Sequence, residues 1–403
     1  MRYLLIPGNN SLSHVAQCLA IREFLLQKRH EVLIAVARNN SKFLKAIDIE
    51  HYVISDIQET DGAALPTTTW FKQPQRIIEC INTEVAFLEK YKPDRVCGIF
   101  RFTTKASCQL AGIPYDSLIC GCMLPSSQEV LGYTEDEVGR DLQRQNLAGF
   151  YRYAGTKVSS ALAAFGLDKI EDIRQMLRGD RTFLWDIPEF VAIEKEKNIM
   201  HVGPVFWDHW PHDRMPKNTI SSDKHPLAVL TFGTCTMSTP AAERIVGILL
   251  DLGYHVIIVA GGQKELLKIM PQHPRVTTIN FAPLRKIFPH SSLVICHGGQ
   301  MTVFDALSNN TPVVVMPFQP EQAHNGVCLE RLGCGCRLVA PQPFRQNPWV
   351  YTDALNRMSD DEIKSKISNL VDHPQTAIRL TRIKEILDRY NGAETLAAML
   401  EVA

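Results

Sequence analysis

An α/β chain with two parallel-sheet domains is what this sequence predicts, on three observations. Short apolar runs alternate with segments of helical period, the pattern of a parallel sheet covered on both faces. The alternation occurs twice, once before residue 203 and again from Leu227. At 403 residues, moreover, the chain is too long for one ordinary core and fits two domains of about 200 each.

The elements follow in order. Tyr3–Ile6 reads as a strand, Pro7-Gly8-Asn9-Asn10 as a loop, and His14 to Lys28 as a helix with Val15, Cys18, Leu19, Phe24, Leu25 and Leu26 apolar. Val32–Ala37 is the next strand. Pro93–Phe100 is loop then strand, TTKASCQLAG a helix ending on the C-cap glycine Gly112, and IPYDSLIC a further strand. In the second half, Leu227–Phe232 is a strand, Gly233-Thr234 a turn, Ala241–Leu252 a helix, and His255–Ala260 and Val276–Ile279 strands. From Asp360 onward apolar residues recur at helical spacing. Between the halves, His201–Pro226 is rich in Pro, His, Asp and Ser without a sustained period, which is linker composition. The expected domains are residues 1–203 and 227–380, joined by a linker at 204–226 and closed by a helix within 381–403.

Composition excludes several functions. Lys+Arg and Asp+Glu both number 43, so no net field favours nucleic acid or an anionic membrane, and no nucleic-acid partner is expected. No apolar run approaches the roughly 20 residues of a membrane span. MRYLLIPGNN reads as a first strand rather than a signal peptide. Eleven cysteines, an odd number and mostly within apolar runs, predict reduced thiols and a cytoplasmic setting. Cys120/Cys122 and Cys328/Cys334/Cys336 lack ligand-set spacing, and the HxxH pair His209/His212 with Asp208 and Asp213 sits in an irregular linker instead of on one helix face, so no metal is expected.

The densest segment is Cys296 to Gly326, CHGGQMTVFDALSNNTPVVVMPFQPEQAHNG. Leu293–Cys296 is a buried-strand run, and Gly298 and Gly299 allow a tight turn and close approach of a ligand to bare backbone. Thr302 is expected to open a helix with Val303, Phe304, Ala306 and Leu307 on one face. Backbone N–H groups at such a start suit a phosphate. The strand VVVMP then delivers Glu321, Gln322 and Asn325 at its carboxyl end, where open α/β sheets place ligand contacts. In outline this is a nucleotide-diphosphate site.

HGGxxT…AL…P…PxxxEQxxN resembles the donor-binding signature of inverting glycosyltransferases of the GT-B fold, among them the macrolide and natural-product transferases and the UDP-sugar transferases. The resemblance implies two Rossmann-like parallel-sheet domains facing a cleft, with the last helix crossing back onto the N-terminal domain. It implies that His297 and Gly299 hold the diphosphate, Thr302 supports a phosphate, Asp305 binds ribose hydroxyls, and Glu321 and Gln322 bind sugar hydroxyls. Met301 departs from the usual small residue or Asn, Asp305 from Glu, and Glu321 from Asp. Upstream, Phe281-Ala282-Pro283-Leu284 fills the place of the element that receives the base. Phe281 stacks there or serves as a core aromatic, the backbone of Ala282 meets the base edge, and Leu284 replaces a Gln. Leu230–Thr234 resembles the strand-turn that brings Thr234 to the diphosphate, and His201-Val202-Gly203-Pro204 resembles the exit from the N-terminal domain.

On the acceptor side, SHVAQCLAIREFLLQKRHEV is similar to the family's GHxxPxLxLAxxLxxRGHEV, which makes His14 the implied catalytic base, with Gln17 in place of the usual proline. PDRVCGIFRFTTKASCQLAGIPY is similar to PDxVVGDFRFSxAxSxxLAGIPY, but the aspartate that would orient the histidine is Ile99. His14 then acts alone on an acidic acceptor, another carboxylate substitutes, or transfer is slow or lost. Asp116 lies a few residues beyond. Trp70, Phe71, Phe150 and Tyr151, in the irregular or mixed segments Asp61–Gln75 and Ser126–Arg152, are candidates to line an apolar acceptor pocket.

The implied activity is inverting transfer of a hexose from a UDP- or dTDP-sugar to a small apolar or aromatic acceptor. It would be performed by a monomer or homodimer with no cofactor beyond the nucleotide-sugar co-substrate. A sugar-nucleotide epimerase or hydrolase, or a non-catalytic sugar-nucleotide-binding auxiliary, are the alternatives.

Overall fold

A computed structural model describes the whole chain except residues 58–68, 210–224, 234–238, 269–272, 340–354 and 403. It divides into two compact units. The first comprises Met1–Glu129, Leu147–Trp207 and Tyr390–Ala403, the second Val130–Asn146 and Asp208–Arg389.

The elements of the first unit are β1 (Arg2–Pro7), α1 (Leu12–Gln27), β2 (Glu31–Val36), α2 (Arg38–Ala46), β3 (Tyr52–Val53), α3 (Pro74–Tyr91), β4 (Arg95–Ile99), α4 (Thr104–Ala111) and β5 (Tyr115–Ile119). After α5 (Arg140–Ala163) come β6 (Arg181–Leu184) and β7 (Ile199–His201). The seven strands form one parallel sheet in the order β3-β2-β1-β4-β5-β6-β7. Apolar residues run without alternation along β1 and β4 because both faces are covered: Leu4, Leu5, Ile6, Val96 and Ile99 are all buried.

The second unit holds β8 (Leu227–Thr231), α6 (Thr239–Asp251), β9 (His255–Val259), β10 (Val276–Ile279), α7 (Leu284–Ile287), β11 (Leu293–Cys296), α8 (Gln300–Leu307), β12 (Val313–Val315), α9 (Pro320–Leu332), β13 (Gly335–Arg337), α10 (Asp360–Val371) and α11 (Pro374–Leu387). Its six strands are parallel in the order β10-β9-β8-β11-β12-β13. Leu230, Phe232, Ile245, Leu249, Val256, Ile295 and Val314 form its core. The last helix, α12 (Gly392–Glu401), lies in the first unit and packs on α1.

In both sheets the strand order reverses direction beside the first strand, between β1 and β4 and between β8 and β11. The crevice at the carboxyl ends of such a pair is where doubly wound sheets take ligands. His14 and Phe100 follow β1 and β4; Gly233 and His297 follow β8 and β11.

Some boundaries differ from the sequence reading. The helix expected at Thr302 starts at Gln300, because Gly299 itself takes the extended N-cap conformation (φ −60°, ψ 127°). Glu321, Gln322 and Asn325 belong to α9, whose first residue is Pro320, instead of trailing a strand. The mixed segment Ser126–Arg152 splits, with Arg140 starting a 24-residue helix and Val130–Asn146 belonging to the second unit. There the Arg337 guanidinium donates to the Gly132 carbonyl (2.7 Å) and to Glu137 (3.3 Å). The ten described cysteines are free, and nine of them are buried. Among the described residues no helix is long and apolar enough to cross a membrane.

Candidate active site

In the second unit the turn after β11 explains each glycine of HGG separately. Gly298 has φ +87°, and a Cβ there would lie 2.6 Å from Val315 Cγ1 and 2.7 Å from the Gln322 carbonyl. Gly299 has an ordinary φ, but its Cβ would lie 2.4 Å from His297 Nε2. The imidazole is thus folded over bare backbone at the start of α8, a helix that no side chain caps. Burial lowers the His297 pKa to about 4, so the ring is neutral at physiological pH. Its Nδ1 is buried without a hydrogen-bond partner. A neutral ring donates from one nitrogen, and the helix start adds partial positive charge, a combination that suits an anion.

Asn325 closes the turn from below. Its amide donates to the Gly298 carbonyl at 2.8 Å and to Glu321 Oε1 at 3.4 Å. Gln322 is buried, and its amide oxygen accepts from the Phe318 N–H at 2.9 Å. One group of the Glu321-Gln322 pair therefore stabilises its own loop, and Glu321 is the more available. Burial raises the Glu321 pKa to about 7, against the Asn325 hydrogen bond.

A second pair of glycines stands beside the first, and the sequence reading passed over it. Gly261 and Gly262 have φ +60° and +90°, and a Cβ on Gly261 would lie 1.8 Å from the Gly233 carbonyl. Gly233 in turn faces the His297 ring, 3.3 Å from a Cβ there to Cε1. Backbone of the β8 and β9 turns is therefore exposed where His297 sits. The signal was a GG pair directly after a strand, the same signal as Gly298-Gly299. Phe281 lies against Gly262 and is 48% exposed, so it is not a core aromatic. Ala282 follows, half-buried. Thr302 is half-buried in the first turn of α8. Thr234 lies outside the described residues.

Asp305 is one helical turn on from Thr302, on the same face. Its Oδ1 accepts from Arg285 Nη1 at 3.1 Å, and Arg285 Nε also meets Asp208 Oδ1 at 2.8 Å. Burial lifts the Asp305 pKa to about 7 against the pull of Arg285. Arg285 was not legible beforehand, since a lone Arg in a short helix carries no pattern.

In the first unit, His14 occupies the first turn of α1, capped by Ser11. Its ring packs against Phe100 (centroids 5.4 Å, planes 25° apart) and Trp185 (5.6 Å, 37°), which also meet each other at 6.2 Å. Burial lowers its pKa to about 4, partly offset by a hydrogen bond to the Gly8 backbone. Its Nδ1 is buried without a partner. Ile99 is fully buried in β4, and Asp116 is held by Arg95 (3.1 Å) and Arg181 (2.7 Å). Among the described residues no carboxylate pairs with His14. The aromatic wall continues through Phe102 to Trp70, whose centroids are 4.8 Å apart. Phe71 meets Phe150 edge-on at 5.5 Å. Tyr151 is buried under the Arg174 guanidinium (4.2 Å), which places it in the packing beneath the wall.

The similarities to known proteins agree with this geometry. Residues 241–341 match the model of the glycosyltransferase family 28 C-terminal domain. A PGL/p-HBAD biosynthesis rhamnosyltransferase of Mycobacterium bovis is 24% identical over 404 residues, covering 94% of this chain and 88% of its own. The solved glycotransferase of kitacinnamycin superimposes with a TM-score of 0.74 at 17% identity, covering 99% of this chain and 98% of that one. The glycosyltransferase VinC, solved in complex with dTDP, does so with a TM-score of 0.68 at 15% identity, covering 99% and 98%. The two parallel-sheet units are thus those of the GT-B fold. The chain is a glycosyltransferase of that fold.

Proposed function

We propose that this enzyme transfers a hexose from a dTDP-linked donor to the ionisable hydroxyl of a small aromatic acceptor, with inversion at the anomeric carbon. The observation that carries the acceptor assignment is His14 packed against both Phe100 and Trp185 with no carboxylate partner among the described residues. A neutral imidazole of such low basicity removes a proton readily only from an acidic hydroxyl. Aromatic walls suit a planar acceptor. In the reaction, the acceptor oxygen attacks the anomeric carbon from the face opposite the diphosphate and passes its proton to His14, while the bond to the nucleotide diphosphate breaks.

For the donor, His297, the bare backbone of the paired glycines and the start of α8 would carry the diphosphate. Phe281 would stack on the base, with the Ala282 backbone at the base edge, and Glu321 would accept from sugar hydroxyls. The preference for dTDP follows from Asp305. It is shorter than the glutamate usual in the family and is already held by Arg285, so it has capacity for the single 3′-hydroxyl of a deoxyribose. With the phosphates met by imidazole and backbone, transfer is proposed to run without a divalent cation, and to persist with a chelator present.

The test is a panel of UDP- and dTDP-sugars against phenols and aliphatic alcohols, read by nucleotide release and acceptor mass. Mass gain with dTDP donors and phenols is expected, and Arg285→Gln should narrow the gap between dTDP and UDP donors by freeing Asp305. Nucleotide release without mass gain would instead mark a hydrolase, and equal use of aliphatic alcohols would remove the acidic-acceptor assignment.

Glu321 yields a pH-dependent expectation. With a folded pKa near 7 and an ordinary value of 4.5, its protonated form is favoured on folding. That contribution to stability is present at low pH and lost as pH rises through about 7. Glu321→Gln mimics the protonated carboxyl. Its donor KM should match the wild type near pH 6 and be about tenfold higher near pH 8, where the carboxylate is the better acceptor. A KM ratio constant with pH would place Glu321 away from the sugar.

A further inference from the structure

The guanidinium of Arg101 lies in the interior of the first unit, 3% exposed, and reaches three other segments. Nε and Nη2 donate to Glu84 Oε1 on α3 at 3.1 and 2.7 Å. Nη2 also donates to the Ser55 carbonyl (2.8 Å), and Nη1 to Asp56 and to the Pro7 carbonyl (3.4 Å). Glu84 is held in place by Thr103 (2.6 Å) and Ser107 (2.7 Å). Arg101, Glu84, Asp56, Thr103 and Ser107 are almost fully buried.

The two ends of this network adjoin the two supports of His14. Pro7 precedes Gly8, whose backbone bonds the His14 ring. Phe100, which stacks on that ring, immediately precedes Arg101. The two loops are also pressed together directly. The Gly8 N–H donates to the Ile99 carbonyl at 2.8 Å, and a Cβ on Gly8 would lie 2.4 Å from the Phe100 carbonyl. Phe100 itself holds φ +49°, a left-handed conformation that costs a non-glycine residue energy and persists where its surroundings fix it.

We propose that Arg101 is the positioning residue for His14, locking the β1–α1 and β4–α4 loops together so that imidazole orientation is set by backbone and ring stacking in place of the absent carboxylate. The role rests on the reading of His14 as the base. Only a planar fork with five donors spans these acceptors; a lysine ammonium keeps the charge but cannot reach them together.

The experiment is a double-mutant cycle on the full chain, with dTDP-rhamnose and unsubstituted phenol as probes, since phenol stays protonated near neutrality and depends on the base. Arg101→Lys is expected to lower kcat at least tenfold, since misplacement of about 1 Å can cost a hundredfold, with the donor KM within twofold of wild type. In a His14→Ala background the same change should cost less than twofold, because the base it positions is gone. Equal losses in both backgrounds, or a wild-type kcat for Arg101→Lys alone, would overturn the proposal while leaving His14 as base. Full transfer by His14→Ala alone would overturn the base reading itself. Gly8→Ala, which drives the same two loops apart from the opposite side, carries the identical cycle if Arg101→Lys does not fold.

Discussion

His14→Ala should slow transfer to an aliphatic alcohol about a thousandfold and transfer to 4-nitrophenol about tenfold, a gap that follows from the range of general-base contributions. An acceptor already ionised near neutrality needs little help; an alcohol needs all of it. The check is kcat for wild type and variant across phenols of graded acidity, where the two lines should converge toward the acidic end. Parallel lines would show that His14 does not take the proton. The pH profile offers a second view of the same residue. Because burial holds the His14 pKa near 4, the acidic limb of kcat/KM should fall at about 4 rather than near the ordinary 6.5. The sign for stability is the same. The neutral ring is favoured in the folded state, so its contribution is full above the unfolded value and is lost as pH falls through about 4.

Substitution at the two glycines of the β11–α8 turn should separate stability from donor binding. Gly298→Ala meets a left-handed φ together with Val315 and the Gln322 carbonyl. A cost of about 3 kcal/mol is expected from the backbone term and the overpacking combined, lowering Tm by roughly 5–10 °C. Gly299→Ala meets neither problem. Its φ of −60° suits alanine, and its Cβ presses only on the His297 ring. Tm should stay within about 2 °C while dTDP affinity falls about 30-fold or more, or roughly 2 kcal/mol. Calorimetric titration with dTDP beside a thermal melt reads both. Unchanged affinity in Gly299→Ala would remove His297 from the diphosphate.

Local patterns carried the fold and the donor turn in the sequence. LLI, LVIC and VVV are apolar without alternation because they are strands covered on both faces, and a period of that kind survives in any context. The turn was legible because glycines mark backbone that must stay bare. Legibility ended where contacts bridge distant segments. His14 sits in the first turn of α1 while Phe100 and Trp185 follow β4 and β6, so nothing near His14 announces its two ring partners. The strands β6 and β7, RTFL and IMH, are too short to show a period. The helix start was misplaced because Thr302 resembles a cap, whereas the capping position is taken by a glycine chosen for the ring above it. Arg101 in FRF read as one basic residue among many. Its importance lies in Asp56 and Glu84, which are 45 and 17 positions away.

The assignment of α12 to the first unit bears on how the molecule is made. Leu396, Ala397 and Leu400 are buried, the Tyr3 hydroxyl donates to the Leu400 carbonyl at 3.4 Å, and Glu401 bonds His30 at 2.7 Å. These pairings join residues nearly four hundred positions apart, the most expensive kind of contact to form by diffusion of the chain. On the ribosome, β1 emerges well before α12 and must wait for it before their unit is complete. The second unit needs nothing beyond Arg389 and can close sooner. The half of the protein synthesised first therefore finishes folding last. A lesion in α12 should show itself in the unit that carries His14, as slow maturation and exposed β1 surface, while the donor turn folds on schedule.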